Sequence, residues 1–149
     1  MKFNLMINGI KITPLKQIVD ERGKIMHMLR NDSSIFENFG EIYFSTINHG
    51  FIKAWHLHKE ATLNYACIKG EVKLVLYDER NESSTNGQYQ EIIMSPNNYS
   101  LITIPPFIWN GFKGLDNSES IIANCLDLPH NENEMVRENY SNKKFNYNW

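Results

Sequence analysis

Two histidines separated by a single residue, His56 and His58, are the residues of this chain best suited to chemistry. In a β-strand, side chains at positions i and i+2 lie on the same face, so a strand at residues 51–58 would present both imidazoles to one side. The pKa of histidine lies close to neutral pH, so an imidazole can exchange a proton or bind a metal ion. The pair therefore predicts either a proton-transfer site or part of a metal site.

A metal site is the weaker of these two interpretations. Zinc and iron usually take three or four protein ligands, and His56 and His58 supply only two. The nearest carboxylate, Glu60, falls in the loop that follows the predicted strand. We therefore expect no bound metal, with a metal-dependent site as an alternative.

The elements that must position these histidines are short β-strands. Runs of β-branched and aromatic residues recur about every 8–12 residues, which is typical of a β-sandwich or β-barrel. Turn signals such as Asn86-Gly87 separate the runs. Ser33 and Ser34 predict the start of one short helix. We predict strands at residues 10–14, 24–29, 41–47, 51–58, 62–68, 71–77, 88–94, 100–104 and 120–126.

The bulk composition indicates one globular domain, residues 1–149. Of the 149 residues, 42% are hydrophobic and 21% are charged, an ordinary balance for a folded chain. A net charge of −2 without a basic run argues against a nucleic-acid partner. No apolar stretch approaches the roughly 18 residues of a membrane helix, and the first residues lack the apolar segment of a signal peptide. We expect a cytoplasmic protein without membrane contact, whose two cysteines are reduced.

The spacing around the histidine pair resembles the first motif of the cupins. That motif has a glycine, five residues and then His-any-His, which Gly50, His56 and His58 match. In the second cupin motif, here residues 104–112, Asn110 stands where the family has a ligand histidine. The resemblance implies an all-β fold, a double-stranded β-helix or jelly-roll barrel with a histidine-lined pocket at its mouth.

Among cupins, the chain is most similar to the metal-free dTDP-4-dehydrorhamnose 3,5-epimerase family. The residues Lys53-Ala54-Trp55-His56 stand where that family has Arg-Gly-Leu-His, so the resemblance implies that His56 is the catalytic base. Further matches to the family's motifs occur along the chain, at Asp20-Glu21-Arg22-Gly23, Lys69-Gly70-Glu71-Val72, Ile104 to Phe112 and Tyr147-Asn148-Trp149.

Three other active-site groups of that family are not found at the matching positions. Its lysine falls near Leu63, and its catalytic tyrosine falls near Ala123 or Asn124. The carboxylate that orients its histidine would lie beyond Trp149. The resemblance therefore implies the base and leaves the general acid and the orienting carboxylate unassigned.

The chain also resembles the dTDP-sugar 3,4-ketoisomerases, which are short cupins. These enzymes have His-any-His-Lys, as in His56-Leu57-His58-Lys59, and aromatic residues upstream, as in Tyr43-Phe44. In that family both histidines face the substrate.

We expect four residues to act in catalysis. His56 would remove a proton next to a sugar ketone, with His58 as its partner. Tyr65 should share the inward face of Leu63 in the next strand and could donate a proton. Asn110 would donate a hydrogen bond to the developing enolate oxygen, which needs donors rather than a formal charge.

Seven further residues are expected to bind the substrate. The cations would contact a diphosphate, the asparagines would donate hydrogen bonds, the tyrosine could donate a proton, and the tryptophan could stack on the base or sugar. These residues are Arg22, Tyr43, Lys53, Lys59, Asn64, Trp109 and Asn124.

The sequence thus predicts a nucleotide-sugar epimerase that acts on a 4-keto-6-deoxyhexose. No cofactor is required, because the ketone of the substrate accepts the electron pair. The partners implied are a nucleotide-diphosphate sugar and, from the resemblance, a second copy in a homodimer. The alternatives are a 3,4-ketoisomerase and a non-catalytic nucleotide-sugar-binding cupin.

Overall fold

A computed structural model describes residues 6–149 of the chain. Its regular secondary structure is almost entirely β-strand. The only helical segment in that part of the chain is a 3-10 turn at Glu132–Glu134. The strands are β1 (Lys11–Pro14), β2 (Gln17–Asp20), β3 (Gly23–Met26), β4 (Glu41–Ile47), β5 (Ile52–His58), β6 (Leu63–Lys69), β7 (Val72–Asp78), β8 (Tyr89–Met94), β9 (Ser100–Ile104), β10 (Ile108–Gly114), β11 (Ser120–Leu126) and β12 (Met135–Arg137).

Ten of these strands form two five-stranded antiparallel sheets, with orders β1-β9-β6-β11-β4 and β12-β5-β10-β7-β8. The remaining two, β2 and β3, pair with each other as a hairpin. The main hydrophobic core combines residues of both sheets, as expected when the inward faces of a jelly roll meet. The all-β jelly-roll class predicted from the sequence is confirmed.

Alternation of side chains decides which residues reach this core. In β6, Leu63, Tyr65 and Cys67 pack into it, so the intervening side chains face outward. In β5, the same alternation sends Trp55 and Leu57 to an outer cluster and leaves His56 and His58 on the inner face. The predicted common face of the two histidines is therefore present in the structure.

Part of each sheet is also covered on its outer face. Residues that follow β1 and β3 pack on the first sheet against Ala66 and Leu101. The C-terminal tail, residues 139–149, packs on the second sheet, where Phe145 stacks on Trp55 with ring centroids 4.5 Å apart. Burial on both faces explains why several strands have few polar residues.

The structure departs from the predicted elements in a few places. The predicted helix after Ser33 is wrong: the segment makes turns, with the Phe36 N–H donating to the Ser33 carbonyl. Strands β2, β10 and β12 were not among those predicted. No helix within residues 6–149 is long and apolar enough to span a membrane.

Candidate active site

A cavity with a volume of about 480 Å³ lies between the inner faces of the two sheets. This volume is within the usual range for a small-molecule site. One edge strand of each sheet, β4 and β12, contributes to its wall, together with the loop after β11. The lining residues include aromatic, acidic, basic and imidazole side chains as well as smaller polar and apolar ones. They are Glu41, Tyr43, Ser45, Lys53, His56, His58, Tyr65, Phe112, Leu126, Pro129, His130, Glu134, Met135 and Arg137.

His58 is fixed in this wall by a buried carboxylate. Its Nδ1 is hydrogen-bonded to Oε1 of Glu134, and both side chains are almost inaccessible to solvent. This contact leaves Nε2 as the ring nitrogen available on the cavity side. A carboxylate that accepts from Nδ1–H stabilises the tautomer whose Nε2 accepts a proton.

Glu134 is itself held by the backbone. Its Oε2 accepts hydrogen bonds from the N–H groups of Lys59 at 3.0 Å and Glu60 at 3.1 Å, with Ala61 at 3.4 Å. Burial alone would raise the pKa of Glu134, but the hydrogen bonds from His58 and the backbone outweigh it and lower the pKa below its ordinary value. Glu134 is therefore ionised at neutral pH and orients His58.

His56 lies beside this pair in a different electrostatic setting. Burial, and then the positive charge of Arg137 and the proximity of His58 and Lys53, lower the pKa of His56 to about 4. The imidazole is consequently neutral near pH 7. The neutral ring can accept or donate a hydrogen bond to a substrate, and it carries no charge that would interact with the nearby cations.

Two tyrosines face the histidines from the opposite sheet. The Tyr43 hydroxyl accepts a hydrogen bond from Asn124 Nδ2 at 3.0 Å, and the Tyr65 hydroxyl donates to Asn110 Oδ1 at 3.0 Å. Burial raises the pKa of both phenols, for Tyr65 far above the neutral range. Both hydroxyls are protonated at neutral pH. Because Tyr43 accepts the hydrogen bond from Asn124, that bond does not involve the Tyr43 hydroxyl proton.

Asn110 and Asn124 lie behind the cavity wall and position these tyrosines. Asn110 accepts from Tyr65 and donates through Nδ2 to the His56 carbonyl at 3.2 Å. Both asparagines are about 1% exposed, so neither is open to a ligand in the cavity. The expected donation from Asn110 to an enolate is replaced in this structure by contacts within the protein.

Two cations line the cavity, Lys53 and Arg137. Strict alternation would place Lys53, three residues before His56, on the opposite face of β5. An irregularity in the pairing of β5 with β10, where Gly111 lies directly against Ala54, shifts the register and returns Lys53 to the inner side. A Cβ at Gly111 would come within 2.3 Å of the Ala54 Cβ, so this close approach requires glycine.

Besides Asn124, four predicted substrate-binding residues lie outside this chain's cavity. Asn64 faces outward next to Tyr65 and bonds to Thr103 and the Cys125 carbonyl. Trp109 faces outward next to Asn110, packs on Phe145 and donates Nε1–H to Glu79. Both placements correct the sequence-based expectation, because neighbouring residues of a strand cannot share a face.

The other two are cations at the surface. Arg22 is at the tip of the β2–β3 hairpin, where it pairs with Asp20 at 2.6 Å. Lys59 follows β5, with its N–H bound to Glu134 and an exposed side chain. Neither side chain reaches the cavity of its own chain. Each lies in a turn, where strand alternation does not predict the direction of a side chain.

Among the lining residues that the sequence analysis missed, three are ionisable side chains from one segment. Glu134, Arg137 and His130 come from the segment after β11, which carried no strand prediction. Glu134 supplies a carboxylate that orients a histidine, the group that the sequence analysis left unassigned. Within residues 6–149, no group of three or more His, Cys, Asp or Glu side chains is arranged to hold a metal ion.

The chain is similar to known proteins along most of its length. Residues 4–149 match the family model described as dTDP-4-dehydrorhamnose 3,5-epimerase. The chain is 30% identical over 120 residues to a probable low-salt glycan biosynthesis epimerase of Haloferax volcanii, covering 79% of this chain and 77% of that protein. It is 27% identical over 146 residues to the spore coat polysaccharide biosynthesis protein SpsL of Bacillus subtilis, covering 97% of each.

Solved structures show the same relationship. A dTDP sugar isomerase from Desulfovibrio desulfuricans superimposes with a TM-score of 0.94 at 36% identity, over 97% of this chain and 94% of that one. A dTDP-4-dehydrorhamnose 3,5-epimerase from Elizabethkingia anophelis shares the fold, with a TM-score of 0.80 at 19% identity over 99% of this chain and 84% of that one. The chain belongs to the dTDP-4-dehydrorhamnose 3,5-epimerase family.

Proposed function

We propose that this protein epimerises a nucleotide-linked 4-keto-6-deoxyhexose by removing a proton next to the ketone and returning one from the other face. The observation that carries the proposal is the His58–Glu134 pair in the wall of a sugar-sized cavity. A histidine oriented by a buried carboxylate is suited to act as a general base near neutral pH.

In the proposed first step, His58 Nε2 takes a proton from the carbon beside the ketone. The electron pair of that C–H bond forms the carbon–carbon double bond of an enolate, and the ketone oxygen takes the negative charge. Glu134 stabilises the resulting imidazolium. The neutral His56, which the family motif implies as the base, is assigned here to a hydrogen bond with the substrate beside the reacting carbon.

The second step needs a proton donor on the other face of the sugar. His56 and His58 belong to one sheet, whereas Tyr43 and Tyr65 belong to the sheet opposite. Tyr65 already donates to Asn110, but the Tyr43 hydroxyl accepts from Asn124 and keeps its proton for the cavity. Protonation by Tyr43 from the opposite side inverts the carbon, which favours epimerisation over migration of the ketone.

The names of the relatives support a nucleotide sugar as the substrate. A structure from Legionella pneumophila with the same fold, at 24% identity, is described in complex with dTDP-4-keto-L-rhamnose. The relatives from Haloferax volcanii and Bacillus subtilis are named for glycan and polysaccharide biosynthesis. We infer the same class of substrate and a role in making a surface polysaccharide.

The protein is further proposed to work as a homodimer. The β2–β3 hairpin exposes a group of apolar side chains, Ile18 at 43%, Val19 at 70% and Ile25 at 61% exposure. Exposed apolar groups of this kind are typical of protein interfaces. Exchange of the hairpins between two copies would bring Arg22 from one copy towards the substrate of the other.

The test is incorporation of solvent deuterium into dTDP-4-keto-6-deoxyglucose, followed by NMR. We expect deuterium at C3, C5 or both with the wild-type protein, and a loss of roughly 100-fold or more in His58→Asn. His49→Asn, which changes an exposed histidine outside the cavity, serves as the matched control. Exchange is also expected to survive dialysis against EDTA.

Each alternative has its own result in this experiment. Loss of exchange in His56→Asn together with full exchange in His58→Asn would return the role of base to His56. Migration of the ketone to C3 would identify a 3,4-ketoisomerase. Binding of dTDP without any exchange would identify a nucleotide-sugar-binding protein without catalysis, and loss of exchange in EDTA would identify a metal-dependent enzyme.

A further inference from the structure

Arg137 is a cation of the cavity wall that forms an ion pair on its outer side. In the pairing of β12 with β5, Arg137 lies opposite His56 and Met135 lies opposite His58. Partners in an antiparallel pair share a face of the sheet, so the Arg137 side chain is on the histidine side, where it lines the cavity. Its side chain is 53% exposed, which places the guanidinium at the opening rather than at the floor.

The guanidinium is occupied by a carboxylate that does not itself line the cavity. Arg137 Nη1 donates to Oε2 of Glu132 at 2.8 Å. The other oxygen of the same carboxylate, Oε1, contacts His130 Nε2 at 2.8 Å, and His130 is also a lining residue. Glu132 therefore holds two cavity-wall side chains from outside the cavity.

The second lining cation, Lys53, has a different kind of partner. Its Nζ donates to the Ser45 hydroxyl at 3.2 Å, and it has no carboxylate partner within the part of the chain described. A guanidinium has five N–H donors in a planar fork and matches two phosphate oxygens, whereas an ammonium acts as a point charge. Of the two cations, Arg137 is the one whose geometry can distinguish a diphosphate from a single anion.

We propose that Arg137 binds the diphosphate of the substrate, and that the Glu132 carboxylate pairs with the guanidinium until the diphosphate replaces it. This inference rests on the proposed function, since it takes a nucleoside diphosphate as the ligand. Exchange of one anion for another conserves the charge-assisted hydrogen bonds of the guanidinium. The Glu132 carboxylate, 62% exposed, is free to turn to water when it is displaced.

The test is the binding of dTDP, measured by titration calorimetry at low and physiological salt. Arg137→Met is expected to weaken binding about tenfold, as for the loss of a charge-assisted hydrogen bond that is partly exposed. Glu132→Gln is expected to tighten binding about two- to fivefold, because it removes a competitor of the strength of an exposed ion pair. In the double variant, the gain from Glu132→Gln should disappear, because no guanidinium is left to release.

Asp32→Asn is the matched control. It removes the same charge from an exposed Arg–Asp pair with Arg30, at 2.6 Å, in which neither residue lines the cavity. We expect it to leave the affinity for dTDP within twofold of wild type.

Three results would overturn the inference. They are unchanged affinity in Arg137→Met, an equal gain from Glu132→Gln with and without Arg137, and a wild-type protein that binds no nucleoside diphosphate. Binding is read without turnover, so a protein that binds dTDP through Arg137 and shows no deuterium exchange would fail the proposed reaction and still support this inference.

Discussion

Glu134 and His58 meet across 76 residues of sequence, and their contact is the feature of the site with the clearest chemical consequence. Three backbone N–H groups hold the carboxylate, so its position does not depend on the substrate. A base oriented before binding has no reorganisation to make at the moment of proton transfer. In the proposed mechanism, Glu134 is accordingly a positioning residue that acts through His58.

Glu134→Gln should therefore slow deuterium exchange by roughly 100-fold, within the range contributed by a general base. The amide keeps the shape of the side chain but cannot stabilise an imidazolium, so the KM should change little while kcat falls. Glu134→Asp, which restores the charge at a shorter reach, should recover part of the rate. Glu138→Gln is the control, since this carboxylate contacts Asn142 in the tail. Wild-type kcat in Glu134→Gln would show that the carboxylate has only a structural role.

His56 gives a second prediction, which concerns stability against pH. Its pKa is about 4 in the folded protein, against an ordinary value of 6.5. Protons therefore bind the unfolded chain more tightly, so this contribution to stability is complete above pH 6.5 and is lost as the pH falls from 6.5 to 4. A shift of this size corresponds to roughly 3 kcal/mol.

In His56→Asn, the loss of unfolding free energy between pH 7.5 and 4.5 should be smaller than in wild type by about 2 kcal/mol. Urea denaturation at the two pH values measures this difference. His49→Asn, which removes an exposed imidazole, should retain the wild-type loss. An identical pH dependence in His56→Asn and wild type would contradict the lowered pKa.

At the scale of elements, strand alternation predicted part of the site, and the same rule explains why two candidate residues lie outside the cavity. Because Tyr65 faces the core, Asn64 must face away, and because Asn110 faces the core, Trp109 must face away. The alternation in the sequence therefore indicates the outward orientation of both residues. The inward position of Lys53 depends on tertiary pairing, since the irregularity between β5 and β10 that turns it inward leaves no local signal in the sequence.

The ionisable residues that were missed after β11 lie in the shortest strand or just before it. β12 has three residues, Met135–Arg137, too few for alternation to stand out from the surrounding loop. Its pairing with β5 brings Glu134 and Arg137 to the histidines. In contrast, the longer strands predicted at residues 41–47, 51–58 and 120–126 match β4, β5 and β11 closely.

The C-terminal tail is the element that fixes the outer side of β5. Phe145 is 1% exposed and stacks on Trp55, whose backbone pairs with Glu138 through hydrogen bonds of 2.7 and 3.0 Å. Phe145→Ala should lower the free energy of unfolding by about 3 kcal/mol, because it opens a cavity under the tail. Tyr140→Ala, in the same tail at 47% exposure, should change it by less than about 0.5 kcal/mol. Urea denaturation of the two variants decides; equal effects would mean that the tail does not depend on the Trp55 contact.

At the scale of the whole molecule, coverage of the apolar surface is uneven. The C-terminal tail covers one sheet, whereas the hairpin β2–β3 and the outer side of edge strand β4 leave apolar side chains in solvent, including Ile42 at 48% and Phe44 at 61% exposure. Such an area is costly for a monomer to expose and suits a second copy of the chain. The same dimer would give Arg22 a role that it does not have within one chain.

Val19→Glu should therefore convert the proposed dimer to a monomer, because a charge at the most exposed apolar position of the hairpin would lose its hydration in the interface. Light scattering after gel filtration measures the mass directly. Ile93→Glu, at 42% exposure on β8 of the other sheet, provides a change of the same chemistry that should leave the dimer intact. The monomeric variant should also bind dTDP more weakly than wild type, since Arg22 of the other copy is removed from the site. A Val19→Glu protein that stays dimeric would place the interface elsewhere, and a monomer with wild-type affinity would exclude Arg22 from the site of the other copy.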